Sequence, residues 1–192
     1  MIMVLDLEQA EVDVAAGVLV CPGCAGRLRP WSWAPMRRVR QLDGSVVAVR
    51  PRRTRCAGCR RTHVLLPSWC LPRRADTVEV VGPAVAAHAA GRGHRGIAAD
   101  LGRPASTVRR WLRAVRGRHA RWLYRQGVEH AFLFAPEVLG EVAAQPTELG
   151  DALTALATAA IAFCRRFGRH IELWDLIGMV TRGRLLTPNP SG

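Results

Sequence analysis

The chain has 192 residues and a formal net charge of +13, carried by 28 basic side chains that are all arginine. That length allows one ordinary domain or two to three small modules. The longest uncharged runs, residues 152–164 among them, are about 13 residues and too short to span a bilayer.

The N-terminal acids Asp6, Glu8, Glu11 and Asp13 stand where a secretory signal needs a basic start and a long apolar core. A cytoplasmic, nucleoid-associated location is therefore expected, and in that reducing setting cysteines are metal ligands or free thiols before they are disulfides. Charge is unevenly distributed. Residues 21–76 hold 13 arginines against two acids and residues 77–126 ten against two, whereas residues 1–20 and 127–192 are net acidic. This points to a polyanionic partner facing the middle of the chain.

Residues 1–20 read as a leader, either a short strand or a mobile segment. Residues 21–66 carry Cys21-Pro22-Gly23-Cys24 and Cys56-Ala57-Gly58-Cys59. Two Cys-x2-Cys pairs offer four thiolates for a closed tetrahedral Zn²⁺ site, with Gly23 and Gly58 expected to let each pair turn tightly. Rubredoxin-type iron would suit the same ligands. Between the pairs, residues 38–42 and 46–49 flank Asp43-Gly44, a hairpin signal, with residues 28–34 and 62–66 as outer strands. The segment reads as a β zinc ribbon that needs its metal to fold. Trp31 and Trp33 alternate with Ser32 as ribbon-core residues do, with stacking on an unpaired base as the less favoured alternative. Cys70 and His63 are expected to be bystanders, and Cys164 a packing residue.

Residues 67–76, with Arg73 and Arg74, read as a basic linker that follows a DNA backbone. Residues 77–126 read as a trihelical unit whose first helix starts near Asp76 or Thr77 and contains Pro83. Gly91-Arg92-Gly93-His94-Arg95-Gly96 matches a dinucleotide fingerprint in letters only, because no βαβ unit surrounds it, and no nucleotide is expected. Ile97, Ala98 and Leu101 make one apolar stripe, and Gly102 falls where a left-handed cap is wanted. Pro104 suits the first turn of the next helix. With Val108 at zero, Trp111, Leu112 and Val115 lie within about 60° of it, while Ser106, Arg109, Arg110 and Arg113 lie between about 100° and 200°.

These residues, from Ile97-Ala98 through Leu101-Gly102 to Ser106-Thr107-Val108 and Trp111-Leu112, resemble the helix-turn-helix of bacterial transposases and resolvases. With the cysteine pairs, the chain is similar over residues 21–116 to small zinc-ribbon and helix-turn-helix proteins and to the DNA-binding front half of insertion-sequence transposases. The resemblance implies an α+β chain that binds a specific double-stranded DNA sequence, as a mobile-element accessory factor or a transcriptional regulator. Ser106, Arg109, Arg110 and Arg113 are expected on bases, and Thr107, Arg103, Arg73 and Arg74 on phosphates.

Residues 127–186 read as a helical packing or dimerisation segment, with Leu149, Leu153, Leu156, Ala160 and Phe163 on one stripe and Arg165 and Arg166 closing that helix. Residues 187–192 read as a tail. Glu129, Glu137, Glu141, Asp151, Glu172 and Asp175 are scattered and the segment is short for a two-metal catalytic domain, so the chain is not expected to be an enzyme. The alternatives are a truncated transposase or an adaptor that binds a transposase or RNA polymerase.

Overall fold

The computed structural model describes residues 1–141 and 143–187; of the tail, only Thr187 falls within it. The architecture is mixed α and β, a small sheet at the N-terminal side and several helices after it. Residues 1–20 are built into the sheet module. β1 (Ile2–Val4) pairs in parallel with β6 (Thr62–Pro67), and α1 (Leu7–Ala16) lies over the sheet. Asp6 caps α1 by accepting from the Gln9 backbone N–H at 2.8 Å, and Gly17 closes it at φ 78°. Val4, Ala10 and Val14 share a core with Leu28 and Leu65, which is why this segment is anchored.

β2 (Leu28–Trp33), β5 (Arg52–Cys56) and β6 are antiparallel neighbours, giving the sheet order β1-β6-β5-β2. β3 (Arg37–Arg40) and β4 (Val46–Val49) form a separate hairpin around Asp43-Gly44, with Gly44 at φ 86° and the Asp43 carboxylate accepting from the Ser45 backbone N–H at 2.8 Å.

Residues 67–76 are a packed seam and not a free linker: Ser68, Cys70, Leu71 and Asp76 are buried, and Arg40 and Cys70 bridge to Asp76 and Thr77. The seam leads into α2 (Val78–Ala89), α3 (His94–Asp100) and α4 (Ala105–Ala114). Gly91 at φ 90° and Gly102 at φ 58° make the two left-handed turns between them. Pro104 stands one place before the first helical residue of α4, its carbonyl accepting from Thr107 and Val108.

α5 (Arg118–Phe134) is a separate helix, since the backbone breaks at Gly117 (φ 53°, ψ −124°), and it runs without interruption through the boundary expected at residue 127. α6 (Glu148–Phe167) runs parallel to it. Arg121 meets Glu148 at one end, Phe134 meets Phe163 edge-on at the other, and a Cβ on Gly127 would stand 2.5 Å from the Ala155 backbone. α7 (Leu173–Val180) completes the chain's helices among the described residues. Leu149, Ala152, Leu156, Ile177 and Val180 share one core with Val81, Val85, Val108 and Leu112. Of the two uses expected for residues 127–186, packing or dimerisation, much of the apolar side serves packing within the chain.

Candidate metal centre and basic helix face

The sheet brings both cysteine pairs to one point, because Leu28 and Cys56 are cross-strand partners and each pair sits in a tight turn at a strand end. The two turns repeat the same geometry. Cys21 donates its N–H to the Gly26 carbonyl at 2.9 Å and Cys56 to the Arg61 carbonyl at 2.9 Å. In each turn the fourth residue after the first cysteine is left-handed, Ala25 at φ 53° and Arg60 at φ 58°. The tight conformation is therefore not at Gly23 or Gly58, as expected from sequence, but two positions later. The glycine that matters sterically is Gly26, where a Cβ would stand 3.0 Å from the Cys56 sulfur and 3.3 Å from that of Cys24.

The sulfurs of Cys21, Cys24, Cys56 and Cys59 all lie within 4.8 Å of one another, with Cys24 to Cys56 at 3.4 Å and Cys21 to Cys59 at 3.7 Å. A tetrahedral ion with bonds of about 2.3 Å separates its sulfurs by roughly 3.8 Å, so the group could hold a metal ion. Protonation is uneven across the cluster. The Gly26 backbone N–H, with neighbouring sulfurs, holds the Cys24 thiol down to about 6. At Cys59 the Arg61 backbone N–H favours the thiolate, yet the Cys24 sulfur and desolvation push the thiol up to about 11. One sulfur favours the anion and its neighbour the neutral thiol, because sulfurs this close share hydrogen bonds and do not ionise independently.

His63, expected to be a bystander, is buried with Nε2 3.3 Å from the Cys21 sulfur. Desolvation lowers its pKa, with the charged N-terminus and Arg61 acting in the same sense, so the neutral ring supports the cluster as a donor to sulfur. Its place two strand residues before Leu65 was the available signal. Cys70 lies apart in an apolar cluster, its thiol pushed up to about 12 by burial. Cys164 is half-buried on α6.

The expected DNA-contacting residues divide into two groups. Ser106, Arg109, Arg110 and Arg113 are exposed on one side of α4 and Thr107 is half-buried at its edge, while Val108, Trp111 and Leu112 are buried on the other side. No acid occurs in α4. Arg103 corrects the expectation of a phosphate contact. Its side chain is 8% exposed, pairs with the Asp76 carboxylate at 2.7 Å and donates to the carbonyls of Leu101 and Gln41. Arg40 reaches the other oxygen of Asp76 at 3.2 Å, so one buried carboxylate ties the β3–β4 hairpin to the turn before α4. Arg74 is also turned inward, donating weakly to the Leu186 carbonyl, whereas Arg73 is exposed in a left-handed conformation. Trp31 and Trp33 are not core residues. They are 58% and 44% exposed on β2, against the guanidinium groups of Arg55 and Arg52.

Residues 21–111 match the model of a family described as a domain of unknown function, DUF6431. That span runs from the first cysteine of the cluster to Trp111 on α4, and its description says nothing of transposition. No curated protein and no solved structure matches the chain significantly. No helix among the described residues is long and apolar enough to cross a membrane.

Proposed function

We propose that this chain binds double-stranded DNA with sequence preference, using α3 and α4 as a helix-turn-helix and the cysteine module as a zinc ribbon that supports it. The observation that carries this reading is α4 itself, which buries Val108, Trp111 and Leu112 and leaves Ser106, Arg109, Arg110 and Arg113 free of acidic partners among the described residues. A helix about 10–12 Å across fits a major groove of about 12 Å. A guanidinium fork there can grip guanine O6 and N7 together, each such pair contributing roughly 1–3 kcal/mol of discrimination. Thr107 and Arg73 serve phosphates, while Arg103 acts indirectly by fixing the turn that aims α4.

Zinc is the metal best suited to four sulfurs at this spacing, and when bound it supplies structural stability and no catalytic step, since all four positions are closed by cysteine. The chain acts as a binding protein, not an enzyme, in transcriptional regulation or as an accessory to DNA transposition, in the cytoplasm at the nucleoid.

Titration of a labelled random-sequence duplex pool at increasing salt tests the reading. Four to six neutralised phosphates give a log–log affinity slope of roughly −4 to −5. Weak binding with a slope near zero would reject DNA as the partner and favour a protein-binding adaptor.

A further inference from the structure

The duplex-binding reading leaves the two exposed tryptophans unexplained. Trp31 and Trp33 stand on β2, an edge strand of the sheet. Exposing two indoles on one small module is uncommon unless they meet a partner. Each already carries a cation on its ring: Arg55 lies 4.6 Å from the Trp31 centroid, and Arg52 lies 4.4 Å from that of Trp33, with Arg50 further out at 5.8 Å. Arg29 is exposed nearby on β2, and Arg50 is exposed in the connection that leads into β5. The ion pair reaching this cluster among the described residues is Arg52 with Glu11, at a loose 4.0 Å.

The edge is poorly suited to a protein strand. Pro30 lacks an N–H, and the register of β2 slips at Trp31, between Pro30 and Ser32. Both features disfavour strand addition, so recognition has to run through side chains. Those side chains offer ring faces and guanidinium groups with little opposing acid, which suits a polyanion that carries planar groups. A base held in a duplex stack cannot present its face to an indole; an unpaired base can.

The geometry points to a binding site for single-stranded nucleic acid along β2, with bases stacking on Trp31 and Trp33 and phosphates taken by Arg52 and Arg55. This site is distinct from the outer face of α4 and does not require that face to bind duplex. It would let the protein hold melted or frayed DNA beside a duplex site.

The test uses the full chain loaded with one equivalent of zinc, titrated with a labelled 20-nucleotide oligo(dT) and separately with the duplex pool. Base–aromatic stacking corresponds to roughly 5- to 150-fold in affinity per base. Trp31→Ala with Trp33→Ala should weaken oligo(dT) binding at least roughly fivefold and leave duplex affinity within about twofold. Trp31→Phe with Trp33→Phe should retain most of the single-strand affinity, because a ring remains. Arg109→Ala should show the opposite pattern, so loss of the duplex reading and loss of this one are separable. Single-strand affinity in the double alanine variant within twofold of the parent overturns the proposal. An equal loss on both nucleic acids, or a phenylalanine variant as weak as the alanine one, also overturns it. Unchanged metal content and circular dichroism confirm that the exposed positions were altered without unfolding.

Discussion

The sheet module and the helical module hold themselves together by different means. In the sheet, Val4, Ala10, Val14, Leu28 and Leu65 make a small apolar core next to four converging sulfurs. In the helices, one core runs from Leu71 through Val81, Val108 and Leu112 to Leu156 and Leu186. With a core that small, a metal ion held by the four cysteines would be the sheet's main support, whereas the helices are held by packing. Arginine marks the same division: at the seam Arg40 and Arg103 turn inward onto Asp76, and on α4 Arg109, Arg110 and Arg113 turn outward. The buried Asp76 carboxylate holds two arginines within the protein, and the three on α4 have no such acid beside them among the described residues.

Metal removal should separate the modules most sharply. Structural zinc contributes on the order of 10–16 kcal/mol, so chelation or Cys56→Ser should collapse amide protection in β2 and β5 while α5 and α6 keep most of theirs. Simultaneous loss in both halves would show that they unfold as one unit. The next largest effect belongs to the seam. Asp76→Ala leaves Arg103 buried without its partner, and urea denaturation should report a loss of about 3–5 kcal/mol. A loss below about 1 kcal/mol would mean that the clasp does not join the modules.

Gly26→Ala presses a methyl group against the Cys24 and Cys56 sulfurs, an overpacking expected to cost about 1–3 kcal/mol. Competition with a chelator should show weakened metal retention, while Gly93→Ala, which meets nothing within 4 Å at an ordinary backbone conformation, leaves retention unchanged. The smallest shift concerns pH. His119 is buried against Trp122, with Nε2 donating to the Leu185 carbonyl, and desolvation lowers its pKa. A base with a depressed folded pKa takes up protons more readily when unfolded. Its contribution is therefore full above about 6.5 and declines as pH falls below that value. Thermal midpoints measured at pH 7.5 and 5.5 should diverge less in His119→Gln than in the parent.

Local signals in the sequence located the parts governed by local physics. The Asp43-Gly44 hairpin, the two cysteine pairs, the left-handed Gly102 and the division of α4 into apolar and arginine sides all follow from neighbours within a few residues. What escaped was long-range. β1 pairs with a strand about sixty positions away, and a three-residue strand has no periodicity to announce it. The Arg103–Asp76 pair spans 27 positions, so composition could place Arg103 only among the other arginines. Trp31 and Trp33 alternate with a polar residue as core positions do, but they lie at an edge where the register slips. Gly26 sits outside the Cys-x2-Cys spacing that drew attention to Gly23. The parallel course of α5 and α6 depends on Gly127 meeting Ala155, a close approach that shows only once the helices are side by side.

The central claim, that the outer side of α4 reads bases, is met most directly by selecting bound duplexes from a random pool with the zinc-loaded parent, Arg109→Ala and Arg113→Ala. All three proteins should have stabilities within about 0.5 kcal/mol of each other, since both side chains are exposed and neither makes an ion pair among the described residues. The account predicts a defined base preference for the parent and the loss of that preference at specific positions in each variant. The same preference recovered from all three proteins would contradict it.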